Sequence, residues 1–347
     1  MRRRLAARAV PCVALAVALL FARVAHPAAP APFVAPSQWL SALGQQVIVP
    51  GYDRLAGRAA TLADRVGDLC SHPGKDELDA ARTAWRHTAI DLRRLSPLPF
   101  GPALETRILR RLDFWPTRPA QIESSLQERL AGTLPDPRIG VTARGLPAME
   151  YLLFDPGRRR LDADPAACTY AAWLATDAAR ELAAIQPAWT TWIAGLNEAD
   201  GEANAALLAD GVNILIGGID TLRLKYLEKA ARSPADMTHF DAWRSGAERA
   251  HLLAFFEGWR LGLQGREGLP GLTALMRGRG LLVLADHLDN QVERAAIALQ
   301  ALPDRPGADA TALAHAISAL AALQGVLAYD VSERLKVTVG FGDNDGD

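Results

Sequence analysis

The segment Gly145-Leu146-Pro147-Ala148-Met149-Glu150-Tyr151-Leu152-Leu153-Phe154 reads as the start of a helix with a charge where none belongs. Gly145 permits a sharp turn, and Pro147 suits a first helical position, where a missing N–H costs nothing. Glu150 then falls at the end of the first turn, where the helix dipole favours a negative charge. Its helical neighbours are Leu146, Leu153 and Phe154. A lone carboxylate on such a face is costly unless it is paired, hydrogen-bonded or bound to a cation. Glu150 is therefore read as the centre of a polar site inside an all-helical protein. The alternative is a helix-start glutamate reaching a nearby arginine or backbone N–H.

Helical spacing continues on both sides. Leu40, Leu43 and Val47 begin a stripe; Pro50-Gly51 interrupts it, and Tyr52, Leu55, Ala59, Leu62, Val66 and Leu69 resume it, as one kinked helix or two. Leu78, Trp85, Ala89, Leu92 and Leu95 mark the next helix, and Ile122, Leu126 and Leu130 another. Tyr170 to Ile185 is a long helix that Pro187 kinks or ends, and Ala205 to Ala231 follows. Asp236 is placed to cap a helix carrying Phe240, Trp243, Ala247, Ala250 and Ala254, in which Gly258 and Gly262 allow another helix to come close. Leu272–Leu299 and Leu313–Leu335 complete the set. No region alternates with period two, so sheet content should be near zero. The expected fold is all-α, with two tandem helical-bundle domains over 37–162 and 165–338 and a disordered acidic tail over 339–347.

Of 347 residues, half are hydrophobic. Arg2, Arg3, Arg4 and Arg8 precede the apolar run Val10–Phe21, the pattern of a signal peptide over residues 1–31; an uncleaved N-terminal anchor is the alternative. Removing it takes away five arginines, the fifth being Arg23, and no acids, moving the formal net charge from −1 to −6. Nothing here favours nucleic acid. The expected location is the periplasm. Cys12 leaves with the leader, and Cys70 and Cys168 remain; in an oxidising compartment a disulfide between them is expected, closing a loop of roughly 100 residues worth about 4–5 kcal/mol.

Known hydrolase, P-loop and dinucleotide motifs are absent. Apart from His26 in the leader, no two histidines stand three or four residues apart, so no helix carries a His pair for a metal. Residues 96–120 differ from the rest: Ser96-Pro97-Leu98-Pro99-Phe100-Gly101-Pro102, a short helix with Glu105, Arg107, Arg110 and Arg111, then Phe114-Trp115-Pro116. A loop so rich in Pro, Gly and aromatics suits one wall of a site.

Pro99-Phe100-Gly101-Pro102, Phe114-Trp115-Pro116, the Gly145–Phe154 segment and Ala242-Trp243-Arg244-Ser245-Gly246 occur in that order. Together they resemble the imelysin-like family, in its branch of predicted periplasmic lipoproteins. The resemblance implies two helical bundles with a site near their interface and a link to iron uptake. The family's metallopeptidase label rests on a Gly-x-His-x-x-Glu signature, which Gly145 and Glu150 match. Pro147 stands at the His position and cannot ligate a metal. Thr117 replaces an Asp, and a lipid-attachment cysteine is missing after the leader. The function implied is a non-catalytic binding protein for a metal ion such as iron or a small anionic ligand, acting with iron-uptake membrane proteins. A metallopeptidase or an interaction scaffold are the alternatives. The expected ligand-binding residues are Glu150, Trp115, Arg244, Phe100, Arg107 and Ser245, with Glu150 as metal ligand.

Overall fold

Helix α1 (Pro36–Leu43) leads through a π-helical turn (Gly44–Ile48) into α2 (Val49–Ser71), so the interruption foreseen at Pro50 is a widened turn within one helical path. A proline cannot donate its backbone bond and its ring crowds the preceding turn; widening that turn relieves both. The computed structural model describes residues 32–132 and 138–340. The expected leader (1–31) and the tail beyond residue 340 lie outside the described residues.

Helix α3 (Lys75–Leu95) opens with Asp76 and Glu77 and closes with Arg93 and Arg94, the charge order the helix dipole favours. The Pro-rich segment then forms two short helices, α4 (Pro102–Glu105) and α5 (Ile108–Leu112), where one was expected. They break at Arg107, whose φ of 49° is left-handed. Next come α6 (Pro119–Leu130), α7 (Gly145–Phe154) and α8 (Pro165–Asn197), which runs on past Pro187. Helix α9 (Gly201–Asp220) passes through a π-helical segment (Thr221–Glu228) into α10 (Lys229–Ala231).

The helix expected to start at Asp236 is a correction. A short 3₁₀ turn at Met237–His239 gives way to an irregular loop, and helix α11 begins only at Glu248 and runs to Leu263. Ala242 and Gly246 both have positive φ, which no helix accommodates. A two-residue antiparallel hairpin, β1 (Gly265–Arg266) with β2 (Leu269–Pro270), precedes α12 (Leu272–Gly278) and α13 (Leu282–Gln300). Helix α14 (Ala310–Gly325), a π-helical stretch (Val326–Val331) and α15 (Ser332–Leu335) end the fold.

Helices α2, α3 and α8 pack side by side, with α7 against α3 and α8. Helix α11 lies on α3 and also meets α9 and α13; α13 packs on α14. Gly258 makes the α3–α11 contact possible, because a Cβ there would sit 1.7 Å from the Arg94 carbonyl oxygen. Buried Trp259 donates its indole N–H to the Leu215 carbonyl at 2.7 Å, tying α11 to α9. Packing does not break at 162–165, since α8 lies along α2, and Ala31–Asp347 forms one compact unit. The Cys70–Cys168 disulfide staples α2 to α8. Helix α3 is thus shared: α7 covers one of its flanks and α11 another, and the site lies between them.

Candidate functional site

Helix α7 is held in place at its first turn. Gly145 has φ 74°, and a Cβ there would lie 2.5 Å from the Leu112 carbonyl oxygen, so α7 starts pressed against the end of α5. Trp85 of α3 donates its indole N–H to the Leu146 carbonyl at 2.9 Å. The helix begins at Gly145, so Pro147 is its third residue and Glu150 its sixth, beyond reach of the helix's own free N–H groups.

Glu150 is 3% exposed, and its partner comes from the 240–247 loop. The Ser245 N–H donates to Oε1 at 2.9 Å. The Ser245 Oγ lies 2.9 Å from the same oxygen and 2.9 Å from the Ala242 carbonyl oxygen. A hydroxyl has one proton, so beside an ionised Glu150 it can donate to only one of those two acceptors. An ionised Glu150 takes the Oγ proton, and the Ala242 carbonyl still accepts from the Ala247 N–H at 3.1 Å; a protonated Glu150 would instead donate to Oγ, which then donates to Ala242. Burial, reinforced by the charge of Asp241, pushes the Glu150 carboxyl up to about 7, against the Ser245 bonds and Arg244. Ser245 is thus the hydrogen-bond partner of Glu150, and burial holds the carboxyl near neutrality.

Arg244 does not pair with Glu150. Its Nε donates to Asp155 Oδ2 at 2.6 Å, and its guanidinium lies 4.5 Å from the Trp243 ring centroid and 5.5 Å from that of Tyr151. It clamps the loop to the C-terminal end of α7.

Behind Glu150 is a charge network. Arg93 makes two bonds to Asp113, at 2.7 and 3.0 Å, and one to Asp241 at 2.7 Å, and also donates to the Tyr226 hydroxyl. Burial works against the charge on Asp241, but Arg93 and His251 beside it hold its carboxyl well below the usual range. An ionised Asp241 can only accept, so the His251 Nδ1–H donates to it, at 2.8 Å. The His251 Nε2 is buried without a hydrogen-bond partner. Trp85, Pro147, Glu150, Asp113, Asp241 and His251 line a chamber of about 10 Å³, room for about one water molecule.

Asp113 also faces a second, far larger cavity of about 880 Å³ between the 96–115 segment and α9 with its π-helical extension. Phe100, Arg107 and Trp115 line this cavity; Glu150, Arg244 and Ser245 do not. The predicted site residues therefore fall in two places, with Asp113 in the wall between. Trp115 is 5.8 Å from Tyr226, ring to ring, and Tyr226 is 5.8 Å from Phe255. Phe100 meets Trp192 at 6.4 Å, and Gly101 is obligatory there, because a Cβ would come 2.7 Å from the Trp192 indole. The Arg107 and Arg110 side chains have no hydrogen-bond or ion-pair partner among the described residues.

The sequence reading missed Arg93, Asp113, Tyr226, Asp241 and His251. The arginine was visible only as one of a pair ending α3. Its partners lie 20, 133 and 148 residues away, and no local spacing signals that.

The family model Peptidase_M75, described as Imelysin, matches residues 48–333. The chain belongs to the imelysin family. This imelysin protein is 25% identical over 283 residues to Iron-regulated protein A of Synechococcus elongatus, covering 77% of this chain and 76% of the relative. Its fold is similar to that of an imelysin-like protein from Psychrobacter arcticum 273-4, with TM-score 0.73, 18% identity and coverage of 88% and 97% of the two chains. A structure from Parabacteroides distasonis ATCC 8503 gives TM-score 0.70 at 16% identity, covering 84% and 93%.

The imelysin signature suggests a metal at Glu150, and the residues around it do not fit one. Pro147 occupies the histidine position, and Asp113 and Asp241 are both paired with Arg93. Among the described residues no three His, Cys, Asp or Glu side chains converge where they could hold an ion. On that donor set Glu150 stands without the further ligands a metal site needs among the described residues.

Proposed function

We propose that this imelysin protein is an exported, periplasmic binding protein that serves iron acquisition by taking iron as an anionic complex in the large cavity. The observation that carries this is a pocket of ligand size whose lining includes Arg107 and Arg110, two guanidinium groups without a hydrogen-bond or ion-pair partner among the described residues. The name of the cyanobacterial relative supports the link to iron, and the leader pattern supports export, as does the description of the P. distasonis neighbour as a precursor. Iron-uptake membrane proteins are the expected recipients. In this reading Glu150 and Ser245 shape the wall behind the pocket and do not touch the ligand.

The test is ligand capture. Purified protein is equilibrated with ferrous, ferric and zinc ions, ferric citrate and haemin, then desalted and assayed for metal. The expected result is retention of an iron complex and not of bare ions, weakened by R107A/R110A and unchanged by Glu150→Gln. Retention of a bare ion that Glu150→Gln abolishes, or retention of nothing, would refute the proposal.

A further inference from the structure

We infer that the ligand of the large cavity is a flat aromatic molecule with acidic groups at its edge. This rests on the reading of the cavity as the binding site and narrows it to one chemical class. Aromatic residues are scarce in this chain, 6% of the total. Six of them, Phe100, Phe114, Trp115, Trp192, Tyr226 and Phe255, nevertheless line this one cavity. Five of them form two ring groups: Trp115, Tyr226 and Phe255 make a chain of rings, and Phe100 packs with Trp192. A plate-shaped π-system lying in the cavity gains offset or edge contacts with these rings that an aliphatic acid of equal charge cannot make.

The acidic edge follows from Arg107 and Arg110. They stand in the sequence between Phe100 and Trp115, and a planar guanidinium matches a carboxylate or a phenolate pair with two parallel bonds. Arg107 is also one of three non-glycine residues with positive φ among the described residues, a conformation that persists only where the surroundings impose it. The break it makes between α4 and α5 puts both arginines in the lining. Glu105 and Asp210 share that lining and repel an acid placed beside them, so the edge facing them should carry neutral or donor groups. At about 880 Å³ the cavity has the upper size of small-molecule sites, enough for a tetrapyrrole or an iron catecholate.

The experiment is intrinsic tryptophan quenching and equilibrium dialysis on the mature chain with four probes: protoporphyrin IX, haemin, ferric catecholate and ferric citrate. At least one aromatic probe should bind ten times more tightly than ferric citrate or better. R107A/R110A, which changes exposed residues, should weaken that probe at least tenfold. Trp192→Leu should weaken it selectively and leave any citrate binding unchanged; circular dichroism checks that both variants remain folded. Equal binding of protoporphyrin and haemin would show that the plate is recognised; preference for ferric catecholate would point to a chelator. Ferric citrate binding as well as every aromatic probe would overturn the inference and leave the iron-complex proposal standing. Binding of none of the four would overturn both.

Discussion

Glu150 shows how much one side chain can mislead and inform. Its apolar neighbours made it conspicuous, and it is buried as expected, but charge neutralisation is not what holds it. One serine supplies both donors to the carboxylate, and burial raises the carboxyl toward neutrality. This has a definite pH signature. Its carboxyl lies at about 7 in the fold against an ordinary 4.5. Below about pH 4.5 both folded and unfolded chains carry the proton. Between 4.5 and 7 the unfolded chain gives it up first, so stability falls with rising pH, by about 3 kcal/mol. Above 7 the loss is complete. Glu150→Gln, which is neutral throughout, should therefore gain on the parent protein by about that amount between pH 4.5 and 7.5 in urea unfolding. Glu248, also buried and pushed up to about 7, gives the parent a second slope of the same sign, which cancels in the comparison. A stability difference that stays flat across this range would mean that Glu150 is ionised in the fold.

At the scale of elements, α3 and the 240–247 loop carry the arrangement. Arg93 sits at the end of α3 among Leu92 and Leu95, on a face that periodicity assigns to packing, and its side chain joins Asp113 after α5 to Asp241 in the loop. Removing it leaves two buried carboxylates facing each other, and Arg93→Met should cost about 3–5 kcal/mol in chemical unfolding; a loss below about 1 kcal/mol would show that the network is dispensable. Gly145→Ala tests the seating of α7. A methyl group would strike the Leu112 carbonyl and the backbone would hold an unfavourable φ, so a loss of roughly 2 kcal/mol or more is expected, read as a lowered Tm. The same elements show where the sequence stopped speaking. Helices with an unbroken apolar stripe were legible, and so was the close approach at Gly258. The loop was not, because Phe240, Trp243, Ala247, Ala250 and Ala254 imitate a helical stripe. What unwinds it is tertiary: Ser245 must reach Glu150, and Asp241 must meet Arg93 and His251.

For the whole molecule, the cysteine count foretold the staple between α2 and α8. The C70S/C168S variant should lose about 4–5 kcal/mol by the chain-entropy account, and an unchanged unfolding midpoint would contradict it. The division of the predicted site into two places was not legible. Trp115, Phe100 and Arg107 face the large cavity while Glu150 faces the chamber behind it, and only packing decides which side of Asp113 a residue lies on. That division carries the function proposed for this chain: ligand in front of Asp113, proton behind it. Anomalous diffraction at the iron edge, on crystals soaked with haemin or ferric catecholate, separates the two sides directly. An iron peak between α5 and α9, beside the rings of Trp115 and Trp192, is the predicted result; a peak in the chamber of Glu150 and His251 would contradict it.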